Sequence, residues 1–242
     1  MIKTKPRPFN SEETQTWREI ITLHTKKRDH QVCDIFLKGL SELGITAERI
    51  PNLEEINKII RQKSGFEGVY VSGLEDGQSF YKMLSEKKFP VGNFIRDRKD
   101  LGYTPEPDIV HDLYGHLPFF VDKEYGDFCY NFGVEACKYL NHPNFLRQFE
   151  RFFWFTIEFG LIQTKDGLRV FGAGIASSTG ECDYALSGKP KIIPFSVDAI
   201  RAQEFRIDVM QDHLFCLNSA EQLYGSLVEL SENVKREYEN NF

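Results

Sequence analysis

The chain has 242 residues, 41% hydrophobic and 27% charged, with a formal net charge of −6 at pH 7, the balance of a soluble globular protein. The acidic charge excludes a broad basic face for nucleic acid. Five cysteines (Cys33, Cys129, Cys137, Cys182 and Cys216) without a C-x-x-C pair exclude a disulfide framework or zinc finger and fit reduced thiols in a cytosolic protein. The N-terminus "MIKTKPRPFNSEE" lacks the apolar core of a signal peptide, and no stretch approaches the roughly 20 apolar residues of a membrane span.

In chain order, a helix is predicted from Asn10, which with Glu13 has capping-box spacing and is followed by an apolar stripe of Trp17, Ile20, Ile21 and His24. A second carries Val32, Ile35, Phe36, Leu40 and Leu43 and stops at Gly44. A third starts at Asn52, with Glu55 three residues on, and buries Ile56, Ile59 and Ile60. "GVYVSG" reads as a short strand into a turn, 80–87 as helix and 92–103 as loop. The spans 123–140 and 145–162 are helical by period and length. "TKDGLRVFGAG" reads as a hairpin turning at Asp166-Gly167, and "QEFRIDVM" alternates like a strand. Ser219 caps a last helix bearing Leu223, Leu227, Leu230 and Val234. With no repeat or Gly/Ser linker, residues 1–242 read as one mostly helical α+β domain with short strands.

Among six histidines, His111 and His116 stand out in "PDIVHDLYGHLPFF". On an ideal helix, residues five apart diverge by about 140°, so the pair is either accidental or brought together by a bent backbone. Asp108 can cap the turn, Gly115 permits a close approach, and Pro118 stops a helix. A carboxylate, Glu158, lies in "FFWFTIEFGL", the most apolar helical stretch of the chain. Burying it is costly unless it is paired, as with Arg151, or bound to a cation. Two histidines and one carboxylate with open positions form the facial triad of non-haem Fe(II) oxygenases, and three ligands plus water also describe catalytic zinc.

"YTPEPDIVHDLYGHLPFF", "FFWFTIEFGL" and "FGAGIASSTGECDYALSGKPKIIP" together resemble the core of the pterin-dependent aromatic amino acid hydroxylases, from about Phe9 to about Leu230. The resemblance implies that fold, an Fe(II) held by His111, His116 and Glu158, and a tetrahydropterin with O2 as co-substrate. It implies that Arg96 pairs with the substrate carboxylate, that Thr104, Ser177 and Ser178 line the amino-acid end, and that Pro105, Trp154 and Phe159 surround the ring. Gly73 and Leu74, followed by Phe80, match the pterin region, along with Asp112, where the family usually has Glu, and Phe153, where many members have Tyr.

Trp154 is shared with the phenylalanine and tyrosine branches, and Ile207 falls where tyrosine hydroxylases carry Asp. An aliphatic wall offers a phenol no partner, so phenylalanine is the expected substrate, with tryptophan, tyrosine or meta-specific phenylalanine hydroxylation as alternatives. The implied form is the compact bacterial one: a single catalytic domain without a regulatory domain or tetramerisation tail, monomeric or weakly associated, with no nucleic-acid or membrane partner. The last helix lacks sustained heptads. From other classes, a zinc hydrolase and a non-catalytic aromatic amino-acid binding protein remain; the first commonly uses His-Glu-x-x-His, which is absent here.

Overall fold

The structure, a computed structural model, describes residues 7–71, 77–101 and 107–241. Helices α1 (Ser11–Thr25), α2 (Arg28–Gln31), α3 (Asp34–Glu42) and α4 (Leu53–Lys63) precede a parallel pair, β1 (Glu67–Val71) and β2 (Lys88–Gly92), joined through α5 (Gly77–Ser85). Then come α6 (Lys123–Cys137) and α7 (Pro143–Phe153), the hairpin β3 (Leu161–Thr164) and β4 (Gly167–Val170), and the short helices α8 (Ala173–Ala176) and α9 (Thr179–Ala185). Strand β5 (Lys191–Pro194), α10 (Val197–Ala202), β6 (His213–Leu217) and α11 (Ala220–Asn241) complete the chain. The second sheet has the order β4-β3-β6-β5, antiparallel only in the hairpin.

Local chemistry explains the helix starts. Asn10 and Glu13 form the reciprocal capping box at α1, which buries Trp17, Ile20, Ile21 and His24. At α4, Asn52 caps through the Glu54 N–H instead of forming a box with Glu55. Gly44 after α3 takes a positive φ of 61°. Within α3, Gly39 leaves room for the backbone of Pro118: a Cβ there would lie 2.0 Å from the Pro118 carbonyl oxygen. This contact seats α3 on a 3₁₀ turn, Leu117–Val121, directly after the histidine segment. The Phe-rich core expected from composition forms, with Phe36, Phe119, Phe120, Phe132, Phe149 and Phe155 fully buried. All five cysteines are free thiols. Among the described residues no helix is long and apolar enough to cross a membrane.

Three expectations need correction. The helix predicted over 145–162 ends as α-helix at Phe153, continues as a π-helical turn over Trp154–Glu158, and gives way to strand at Leu161. The hairpin forms, but Thr164 pairs with Gly167, so its loop is Lys165-Asp166 and Gly167 supplies a φ of 107°. "QEFRIDVM" is not a strand. Gln211 donates to the carbonyls of Arg206 (2.8 Å) and Val209 (2.9 Å), and Arg206 pairs with Asp208, so side chains fold this segment on itself. Those local bonds compete with ladder bonds, and the strand forms later, at His213–Leu217.

Candidate active site

The histidine spacing is resolved by backbone geometry. Val110–His116 is a π-helix, and its hydrogen bonds run i to i+5, which stacks residues five apart on one face. His111 Nε2 and His116 Nε2 lie 3.3 Å apart. Glu158 closes the second π turn and brings its carboxylate to 2.9 Å from His116 Nε2 and 3.8 Å from His111 Nε2. The three donor atoms lie within 4.8 Å of one another. Glycines allow the close packing around them. A Cβ at Gly172 would meet the Glu158 backbone oxygen at 2.2 Å, one at Gly174 the Glu158 Oε2 at 2.8 Å, and one at Gly115 the Ser177 Cβ at 2.9 Å.

Protonation suits a cation. Ser177 Oγ donates to the Gly174 carbonyl (3.1 Å), so it accepts from His111 Nδ1–H (3.2 Å) and leaves the His111 Nε2 lone pair facing inward. Burial pushes His111 down to about 4, partly opposed by Glu158, so the ring is neutral near pH 7. Burial also opposes ionisation of Glu158, but His116, His111 and the Gly174 N–H together hold its carboxyl below the usual range. Two imidazole nitrogens and an ionised carboxylate converging from separate elements thus fit a divalent metal ion.

Arg96 is not a surface residue. It is 3% exposed and pairs with the fully buried Asp108 through Nε–Oδ2 (2.9 Å) and Nη2–Oδ1 (2.8 Å). Asp108 also accepts the backbone N–H of Arg96 (2.8 Å) and of His111 (3.0 Å), capping the π-helix while holding the guanidinium. Its cap was legible in sequence; its grip on Arg96 was not, because the two lie twelve residues apart on different elements. The Nη1 edge of the fork takes no part in that pair, and it is this edge that could meet a carboxylate.

Asp112 Oδ2 accepts the Gly92 N–H at 2.7 Å, and burial raises its carboxyl well above the carboxylate range, with Asp108 and Glu158 adding to the rise. The Gly92 N–H opposes that rise by favouring the ionised form. Phe80 meets Phe153 edge-on at 5.1 Å and Phe89 at 5.9 Å, and the Phe89 ring lies 4.5 Å from that of His116. Phe89 is an unforeseen neighbour of the centre. Trp154 lies 4.4 Å from Phe159, and its Nε1 is buried with no hydrogen-bond partner among the described residues. Ser178 caps α9 by accepting the Glu181 N–H. Ile207 is 65% exposed on the folded-back segment, so it does not form a buried wall in this structure. Gly73, Leu74, Thr104 and Pro105 lie outside the described residues.

Behind Ser177, buried His24 packs against Tyr114 at 5.0 Å between ring centroids. Burial pushes its imidazole from 6.5 to about 4, opposed by a hydrogen bond with the Ser177 backbone and reinforced by Arg96 and Arg28. An unfolded chain therefore takes up this proton before the native one does. Stability is lost as pH falls from about 6.5 to about 4, and the loss then levels off, a cost of about 3 kcal/mol. In urea melts at pH 7 and pH 4, His24→Phe should lack this part of the acid destabilisation; equal acid losses in both proteins would refute the assignment.

Two imidazoles and one carboxylate on one side of an ion are the ligand set of a mononuclear non-haem iron centre. A profile described as biopterin-dependent aromatic amino acid hydroxylase matches residues 6–242. The chain is 35% identical over 213 residues to a phenylalanine-4-hydroxylase of Pseudomonas aeruginosa, covering 88% of this chain and 80% of that one. It is also 35% identical over 219 residues to the Ralstonia nicotianae phenylalanine-4-hydroxylase, covering 90% and 70%. The Chromobacterium violaceum phenylalanine hydroxylase, solved with iron(III) and 7,8-dihydrobiopterin, superposes with a TM-score of 0.89 at 32% identity, covering 96% of this chain and 86% of that one. The apo phenylalanine hydroxylase of Colwellia psychrerythraea gives 0.89 at 31% identity, covering 98% and 95%. The chain belongs to the biopterin-dependent aromatic amino acid hydroxylase family.

Proposed function

We propose that residues 6–242 act as a single catalytic unit that converts L-phenylalanine to L-tyrosine with Fe(II), a tetrahydropterin and O2. The observation that carries this reading is the convergence of His111, His116 and Glu158 within 4.8 Å, with Arg96 clamped beside them. Relatives named phenylalanine-4-hydroxylase support the choice of substrate.

In this mechanism His111, His116 and Glu158 would hold the iron. Bound there, the iron together with the pterin supplies the activation of O2. Arg96 binds the α-carboxylate of the amino acid, and Asp108 fixes the plane of its guanidinium so that little ordering remains when substrate arrives. Trp154 and Phe159 orient the substrate ring. Asp112 lies on the pterin side of the centre, while Phe80 and Phe153 form an apolar surface for its bicyclic ring.

Competition among equimolar L-Phe, L-Tyr and L-Trp tests the substrate. The expected order of kcat/KM has L-Phe first, because burying an unpaired phenol hydroxyl costs roughly 1–3 kcal/mol and the indole of L-Trp is too large to sit beside Trp154. A win for L-Tyr or L-Trp would overturn the assignment of phenylalanine but not the family.

A further inference from the structure

We propose that Phe205, braced by Arg147, is a positioning residue for Trp154 and so determines which aromatic side chain the ring pocket accepts. This rests on the reading above that Trp154 and Phe159 wall that pocket. Phe205 lies on the irregular segment between α10 and β6, and its ring stacks on the Trp154 indole with centroids 4.5 Å apart and planes 13° from parallel. The Arg147 guanidinium carbon sits over the Phe205 ring at 4.3 Å. Arg147 is itself held by Glu150 at 3.0 Å and by Glu204 at 3.4 Å. Glu204 also pairs with Arg151, whose Nη1 donates to the Arg201 carbonyl at 3.1 Å.

Phe205 is the anchored point of this segment: its ring is partly buried against the core and meets Phe155 edge-on at 6.3 Å, whereas Ile207, Val209 and Met210 are exposed. Two arginines on α7 add ion pairs to the neighbouring Glu204. A near-parallel ring at this separation fixes the plane of the indole it covers. Trp154 opens the π turn that ends in the metal-binding Glu158. Fixing the indole therefore fixes one wall of the ring pocket, without Phe205 touching substrate. A tilted indole would change the width of the slot, which decides between a phenyl ring and a larger one.

The test compares Phe205→Tyr, which keeps a stacking ring, with Phe205→Leu, which keeps apolar bulk but no ring, and with Arg147→Met, which keeps the stem but no cation. Two readouts apply. The first is the ratio of kcat/KM for L-Phe to that for L-Trp, with KM for the pterin as an internal control. The second is the change in tryptophan emission when L-Phe is titrated into iron-loaded protein without O2; Trp17, the one other tryptophan, is common to every variant. Phe205→Leu should lower the L-Phe/L-Trp ratio by about three- to tenfold and weaken the L-Phe-induced emission change, leaving the pterin KM unaltered. Phe205→Tyr should retain wild-type values, with Arg147→Met intermediate. A Phe205→Leu protein matching wild type in both readouts, or a Phe205→Tyr protein as impaired as Phe205→Leu, overturns the inference. Should wild type bind L-Phe but hydroxylate no aromatic amino acid, the proposed function falls, and the emission titration still decides the role of Phe205.

Discussion

Glu158→Ala and His111→Ala are expected to strip the iron and reduce hydroxylation to background while leaving the far-ultraviolet circular dichroism nearly unchanged. Both residues aim a donor atom at one point between them. The Glu158 carboxylate stays ionised, against the cost of burial, only through the imidazoles and the Gly174 N–H around it. Glu158→Ala removes a carboxylate from the site and leaves the rest of the π turn in place, so the apo fold should tolerate it. Ser177→Ala gives a graded control. It removes the acceptor of His111 Nδ1–H without removing a ligand, and such supporting contacts change metal affinity by about 10–100-fold. Iron content by inductively coupled plasma mass spectrometry, alongside turnover, checks the series. Stoichiometric iron and full turnover in Glu158→Ala would exclude the assigned ligand set.

The second large effect is at Arg96, where the structure predicts two consequences. If Arg96 binds the substrate carboxylate as proposed, Arg96→Ala should raise KM for the amino acid far more than KM for the pterin, by roughly 2–5 kcal/mol in binding. As the partner of Asp108, it also leaves a fully buried carboxylate unpaired. Breaking a buried pair from one side typically costs about 3–5 kcal/mol, so thermal stability should fall as well. The double variant Arg96→Ala with Asp108→Asn separates the two. Removing the orphaned charge should restore much of the stability but none of the affinity for the amino acid. Full recovery of KM in the double variant would rule out contact between Arg96 and the carboxylate.

What the sequence by itself determined are features set by neighbours along the chain. The Asn10–Glu13 capping box, the stop at Gly44, the β3–β4 hairpin and the apolar stripe of α11 depend on residues within a few positions of one another. The acid cap at Asp108 was legible for the same reason, whereas the set of His111, His116 and Glu158 was marked by the resemblance of three separated motifs to the hydroxylase core. Tertiary structure decided the rest. Whether residues five apart converge depends on a π-helical backbone, and that conformation is held here by packing: Gly115 against α8, and the 3₁₀ turn after His116 against Gly39 of α3. Strand β6 forms where β3 and β5 offer partners, and not where alternation suggested, because a ladder needs a second strand and Gln211 closes the earlier segment on itself. The Arg96–Asp108 clamp and the stacking of Phe205 on Trp154 join different elements beyond the reach of a single turn, and no local pattern encodes them. Their geometry follows from burial, which makes an unpaired charge costly and draws flat rings together once the surrounding helices have closed.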